Sequence, residues 1–257
     1  MKTFFVGAVA CLGAAAMAST ASAAEVTYTF QNPNADLPTG NYDLGSAVGK
    51  TCNGISVSSG DLCVTDEAAG LTYVDAVTGL SVTATGYYRP DPLLPDTVVT
   101  SLLQDLQPAD SGLAVISPLD QSGRDDQIQK SSRESLIFAF SKTVHFLEID
   151  LNAGNDNPCS KPNSKEGPCG SFDIVVDGIT TFTFNDTGST TSGDNIDLGG
   201  LTGKVFEIIP TDAAVPSGFA IGSITVNEMP VPGAAVLLLS GLAGLGLTSK
   251  RRRKAVS

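Results

Sequence analysis

The 257-residue sequence has no tryptophan and a single histidine, His145. One histidine excludes multi-histidine metal centres, and it leaves one candidate base for any Ser–His or Cys–His nucleophile. No Gly-x-Ser-x-Gly elbow accompanies it, and within TVHFLEID it reads better as a strand histidine on a sheet surface. Without tryptophan, stacking of sugar rings would fall to tyrosine. Tyr87-Tyr88-Arg89 is the one suggestive cluster, and it reads more simply as a strand-end pair packed on the sheet. No Cys-x-x-Cys is present, which removes the short spacing of zinc and redox sites. Basic residues are scarce as well. The chain carries 15 against 27 acidic residues, and six of the 15 (Lys2 and five near the C-terminus) lie outside the stretch 24–228. That stretch therefore keeps 9 basic against 27 acidic residues, a net charge of −18. Such a surface repels nucleic acid and anionic lipid and suits solubility outside a cell. Paired carboxylates for glycoside cleavage cannot be read from so acidic a chain, where neighbours such as Asp125 and Asp126 arise by chance. Taken together, the chain lacks a recognisable catalytic set.

The two ends are where the sequence is most specific. Lys2 precedes an apolar stretch from Phe4 to Ala18, and Ala21-Ser22-Ala23 supplies the small-x-small pattern of a cleavage site. Residues 1–23 thus read as a secretory signal peptide, which implies the Sec machinery and signal peptidase as partners. At the other end, Val231 to Thr248 gives 18 residues without a charge. About 17 to 20 apolar residues cross a bilayer core, so a helix here just spans. The block Lys250, Arg251, Arg252, Arg253 and Lys254 follows. A basic flank stays cytoplasmic, placing the body outside and the tail inside.

Between the ends, 24–228 is long enough for one well-packed domain. Four cysteines remain once Cys11 departs with the leader, and four allow three pairings. Cys52 and Cys63 enclose a Gly/Ser-rich loop, and Cys159 and Cys169 enclose CSKPNSKEGPC, so these local pairings are expected as structural staples in an oxidising compartment. The stretches 25–30, 71–75, 80–88, 113–117, 134–141, 143–151, 172–178, 180–186, 204–209 and 219–227 are rich in β-branched and aromatic residues. Ile137 and Ala139 alternate with Phe138 and Phe140, and Asp177-Gly178 marks a tight hairpin. About ten short strands with Gly/Asp/Ser-rich connections predict an all-β fold, an antiparallel β-sandwich. The stretch 96–106 is open: Val99, Leu102, Leu103 and Leu106 have helical spacing, yet the same residues suit a strand. Asp150, Asn152, Asp156 and Asn157 are hard oxygen donors of the type Ca²⁺ takes. Asn155 and Lys161 stand where an EF-hand needs Gly and Glu, and Asx-rich turns offer the same residues without a metal. Structural Ca²⁺ is the one cofactor the sequence suggests.

Pro230-Val231-Pro232-Gly233, the Leu/Gly/Ala-rich run and the terminal Arg cluster resemble the PEP-CTERM class of bacterial sorting signals, nearer to its VPLPA variant. The Glu of the PEP form is absent here. The resemblance implies that 229–257 is a sorting segment, removed by a membrane protease of the exosortase or rhombosortase kind, and that the body reaches the cell surface or extracellular matrix. The body carries a looser likeness to domains bearing such tails, through Gly112, Leu113, Val115, Asp126, Ile128, Glu134, Leu136, Phe138 and Phe140 and the closing GFAIGSITV. That likeness implies a jelly-roll-like sandwich without defined enzymatic activity, structural or adhesive within exopolysaccharide or biofilm. The alternatives are a polysaccharide-binding or polysaccharide-cleaving module, and a single-pass protein whose tail is never cut.

Overall fold

The structure is a computed structural model that describes residues 24–30, 35–39, 43–44, 51–52, 55–56, 62–64, 70–90, 98–105, 112–119, 128–129, 133–151, 171–184, 195–211 and 218–229. Ala23–Met229 forms one compact unit. Among the described residues there is no helix, and every strand pairing is antiparallel.

The chain enters as β1 (Glu25–Thr29), with Val26 and Tyr28 buried and Glu25 and Thr27 facing out. Four short pieces follow: β2 (Asp43–Leu44), β3 (Thr51–Cys52), β4 (Ile55–Ser56) and β5 (Leu62–Val64). Next come β6 (Leu71–Val74), β7 (Ser81–Tyr88), β8 (Val98–Asp105), β9 (Gly112–Ile116) and β10 (Ile128–Gln129). The second half holds β11 (Glu134–Leu151), β12 (Phe172–Val176), β13 (Ile179–Phe184), β14 (Asn195–Pro210), β15 (Gly218–Phe219) and β16 (Ile221–Glu228).

One large sheet runs β1-β16-β9-β8-β7-β11-β14-β12-β13, and β16 also pairs with β11. The path β16-β9-β8-β7-β11 therefore returns to β16, which closes the sheet around its core. Closure depends on β11. Its first half, Glu134 to Phe140, pairs with β7, while Val144 to Leu151 pairs with β16 on the same edge. Its other edge is taken by β14 along both halves. Ser141, Lys142 and Thr143 are exposed at the changeover, where the register shifts between Ala139 and Val144. A second irregularity, between Phe146 and Glu148, moves burial from Val144 and Phe146 to Ile149 and Leu151. An inserted residue bends a strand and re-aims the side chains beyond it. The core so enclosed is aromatic where the two halves meet: Phe140, Phe146 and Phe206 lie with ring centroids 4.9 to 6.4 Å apart.

The all-β expectation holds. It differs in strand length: 134–141 and 143–151 are one strand rather than two, because the polar Ser-Lys-Thr is a corner, not a loop. The stretch 96–106 resolves as β8, with Ser101 to Gln104 all buried. The strand expected at 204–209 begins at Asn195. Asp177 and Gly178 join β12 to β13 with φ of 47° and 85°, the positive pair that a type I′ hairpin turn requires. Gly178→Ala would force a Cβ into the left-handed region and is expected to cost about 1 kcal/mol. Chemical denaturation should show it as a lowered midpoint with an unchanged slope.

Candidate functional site at the chain-end corner

The corner of β11 gathers both ends of the body. In β16 the last residues pair with the first of β1, Asn227 opposite Glu25, and the Glu228 amide donates to the Ala24 carbonyl at 3.4 Å. The next amide, of Met229, donates to the Thr143 carbonyl at 3.3 Å. Lys142 Nζ donates to Glu228 Oε1 at 2.6 Å, an ion pair between partly exposed side chains. Such a pair contributes about 0–1 kcal/mol, so its value is in positioning rather than strength. Met229, the residue before Pro230, and Ala24 are thus both hydrogen-bonded at this corner.

Two turns reach the same corner. The Ser81 amide donates to Ser141 Oγ at 3.1 Å, which brings the β6–β7 turn there. That turn is built by Asp75, whose Oδ2 accepts from the Thr78 amide and the Thr78 hydroxyl, both at 2.6 Å. These bonds, the hydroxyl first, lower the Asp75 pKa below its ordinary value. A depressed carboxyl stabilises the fold fully above its unfolded pKa of about 4, and the benefit fades as pH falls through the folded value. Since Asp75 is close to solvent, the effect is at most a few tenths of a kcal/mol. Thr78→Val removes the hydroxyl donor, so it should lower stability by up to about a few tenths of a kcal/mol at pH 6–8 and match the parent once Asp75 is protonated, which flattens the acid limb of a stability–pH curve. On the other flank, Asp177 Oδ1 accepts from the Val205 amide at 3.0 Å and the Lys204 amide at 3.2 Å. This pins the β12–β13 turn against β14 where β14 passes the corner. Gly203 lies opposite Val144, and a Cβ there would overlap the Val176 side chain, so only glycine permits this approach.

The residues singled out in the sequence fall elsewhere. Asp150 lies in β11, opposite Asn195 and Ser223. Asn152, Asp156 and Asn157 lie outside the described residues, as do Pro230, Val231, Pro232, Gly233 and the basic block from Lys250 to Lys254. Among the described residues no group of three or more His, Cys, Asp or Glu could hold a metal. Cys63 is disulfide-bonded. Cys52 belongs to β3, and Cys159 and Cys169 lie outside the described residues. His145 sits on β11 with Nδ1 2.8 Å from the Thr202 hydroxyl, at the sheet surface as expected. Tyr87 and Tyr88 are half-buried at the end of β7, opposite Val99 and Val98. They are far from the corner, since β7 starts there and runs away from it. Among the described residues no helix is long and apolar enough to cross a membrane.

The corner escaped the sequence reading because it is made by pairing between residues distant in sequence, for example 27 positions apart at Asp177 and Lys204 and 86 at Lys142 and Glu228. Its only local signal is the polar Ser141-Lys142-Thr143 set between two alternating stretches.

No protein-family model matches the chain, and no curated protein matches it. Among solved structures, the chain is similar to the family 32 CBM from C. perfringens NanJ in complex with galactose. The identity is 12%, the match covers 58% of this chain and 93% of that one, and the TM-score is 0.31. A likeness of that degree carries no argument about ligand or activity.

Proposed function

We propose that this is an exported, non-catalytic protein of the cell surface or extracellular matrix, directed there by its two terminal segments. Residues 1–23 send the chain through the Sec machinery to signal peptidase. The segment 229–257 crosses the inner membrane as a helix, and its Pro230-Val231-Pro232-Gly233 lead and basic block make it a sorting signal for an exosortase- or rhombosortase-type protease. The released body, a jelly-roll-like sandwich, then has a structural or adhesive role in exopolysaccharide.

The observation that carries this reading is the pairing of the two signals in one chain, a cleavable leader at one terminus and a barely spanning apolar run closed by five basic residues at the other. Among the described residues the first strand starts at Glu25 and the last stops at Glu228, next to the positions at which the two segments join the body.

Intact mass spectrometry of the protein from its native host tests the proposal. The expected species begins near Ala24 and lacks Arg251 to Arg253. A mature species that retains those arginines would refute sorting and leave a permanently anchored protein.

A further inference from the structure

We propose that the chain-end corner is a lipid-docking surface, on which the body rests against the bilayer that its own C-terminal segment enters. The proposal builds on the reading of 229–257 as a membrane helix.

Among the described residues, eight large apolar side chains are exposed, and five of them belong to segments that converge on this corner. Val77, 91% exposed, is at the tip of the β6–β7 turn, with Val74 at 46% just before it. Ile179, 69% exposed, follows the β12–β13 turn, and Val205 and Met229 flank the corner itself. Exposed apolar side chains at one turn tip, Val77, and directly after another turn, Ile179, are not covered by the body's own sheet. Their placement at one end, where the chain leaves toward an 18-residue apolar run, identifies lipid as what covers them. Only Pro230 separates Met229 from the start of that run at Val231, so there is no spacer to lift the corner clear of the membrane.

The corner is less acidic than the body as a whole: Glu25, Asp75, Asp177 and Glu228 stand against Lys142 and Lys204, a net charge of −2 within the body's −18. Asp75 is held by Thr78, Asp177 by the Lys204 and Val205 amides, and Glu228 by Lys142. Three of the four carboxylates at the corner are therefore engaged, and Lys142 and Lys204 are two of the body's 9 basic residues. Apolar groups at such a surface penetrate about 5–10 Å, to the boundary of headgroups and acyl chains.

The absence of tryptophan provides the test, because any Trp introduced is the sole one. The full chain would be reconstituted into phosphatidylcholine vesicles carrying brominated lipid, with one of four reporters: Val77→Trp, Ile179→Trp, Val98→Trp at the start of β8 opposite Tyr88, and Leu238→Trp in the tail. Docking predicts blue-shifted emission and loss of fluorescence to brominated lipid for Val77→Trp, Ile179→Trp and Leu238→Trp, with Val98→Trp unaffected. If Leu238→Trp is quenched and both turn reporters match Val98→Trp, the tail inserts and the docking surface is refuted. If Leu238→Trp is not quenched, the membrane-helix reading fails and takes the proposal with it. Blue-shifted turn reporters that brominated lipid does not quench would mean the corner is covered by protein, by the tail or a second copy, and would overturn it. Quenching of all four, Val98→Trp included, would overturn a defined orientation.

Discussion

Phe146→Ala is expected to remove about 3–5 kcal/mol of stability. Phe146 is fully buried, and its ring lies 4.9 Å from Phe206, 6.4 Å from Phe140 and 6.5 Å from Phe138, all edge-on. Edge-to-face pairs of this kind add about 0.5–1.5 kcal/mol each beyond the area they bury. The position matters as much as the contacts. Phe138 and Phe140 come from the half of β11 that pairs with β7, Phe146 from the half that pairs with β16, and Phe206 from β14. The ring therefore fills the angle at which the closed sheet turns, and an alanine leaves a void that the two halves of β11, held by their partners, cannot collapse into. Domains of this size have about 5–15 kcal/mol in total, so the variant should unfold at a much lower denaturant concentration. Phe146→Leu keeps most of the volume and should lose less than half as much. An alanine variant within about 1 kcal/mol of the parent would show that the corner does not depend on this cluster.

The second large effect is expected at Gln104, a fully buried polar side chain on β8. Its Nε2 donates to the Phe30 carbonyl at 3.2 Å and the Asp36 carbonyl at 3.1 Å, and its Oε1 accepts from the Tyr73 hydroxyl at 3.0 Å. Two carbonyls on one side and a hydroxyl on the other fix the amide's orientation. One side chain thus joins β8 to β6 and to the segment that leaves β1, none of which is its sheet neighbour. Gln104→Leu keeps the shape and takes the donors from two carbonyls at about 1–3 kcal/mol each, for a total near 2–6 kcal/mol. Gln104→Glu should be worse at neutral pH, because an ionised carboxylate would face both carbonyls, and should recover part of its loss in acid once it is protonated. Thermal unfolding of the three proteins at pH 7 and pH 4.5 separates a hydrogen-bond role from a packing role: equal losses for Leu and Glu at both pH values would favour packing alone.

What the sequence disclosed follows from which faces are covered. Strands with one wet face announced themselves, as in Phe138 and Phe140 alternating with half-buried neighbours, and so did the Asp177-Gly178 turn. In β8 both faces are buried from Ser101 to Gln104, which erases the alternation and leaves a run whose spacing suits a helix equally well. The first half of β14 was hidden by its glycines. Gly199 and Gly200 have φ of 65° and 73° and read as loop residues, but here they sit inside a strand opposite the irregular part of β11. Their company, buried Ile196 and Leu198, was the available clue. The site fared differently from the fold. The patterns read at the two termini are local in sequence and lie almost wholly outside the described residues, whereas the corner is produced by pairings between strands far apart in the chain.

The pairing of β1 with β16 also decides how the body answers to force. A pull applied between Ala24 and Met229 acts on two antiparallel strands from the same end. It peels their hydrogen bonds one after another, so little tension separates them. A pull on Met229 opposed by a load on the opposite end acts along β16, which is bonded to β1 on one side and to β11 on the other. Those bonds would have to shear together. A body held at its C-terminal end and loaded from its far end is thereby fastened through a strand bonded on both edges.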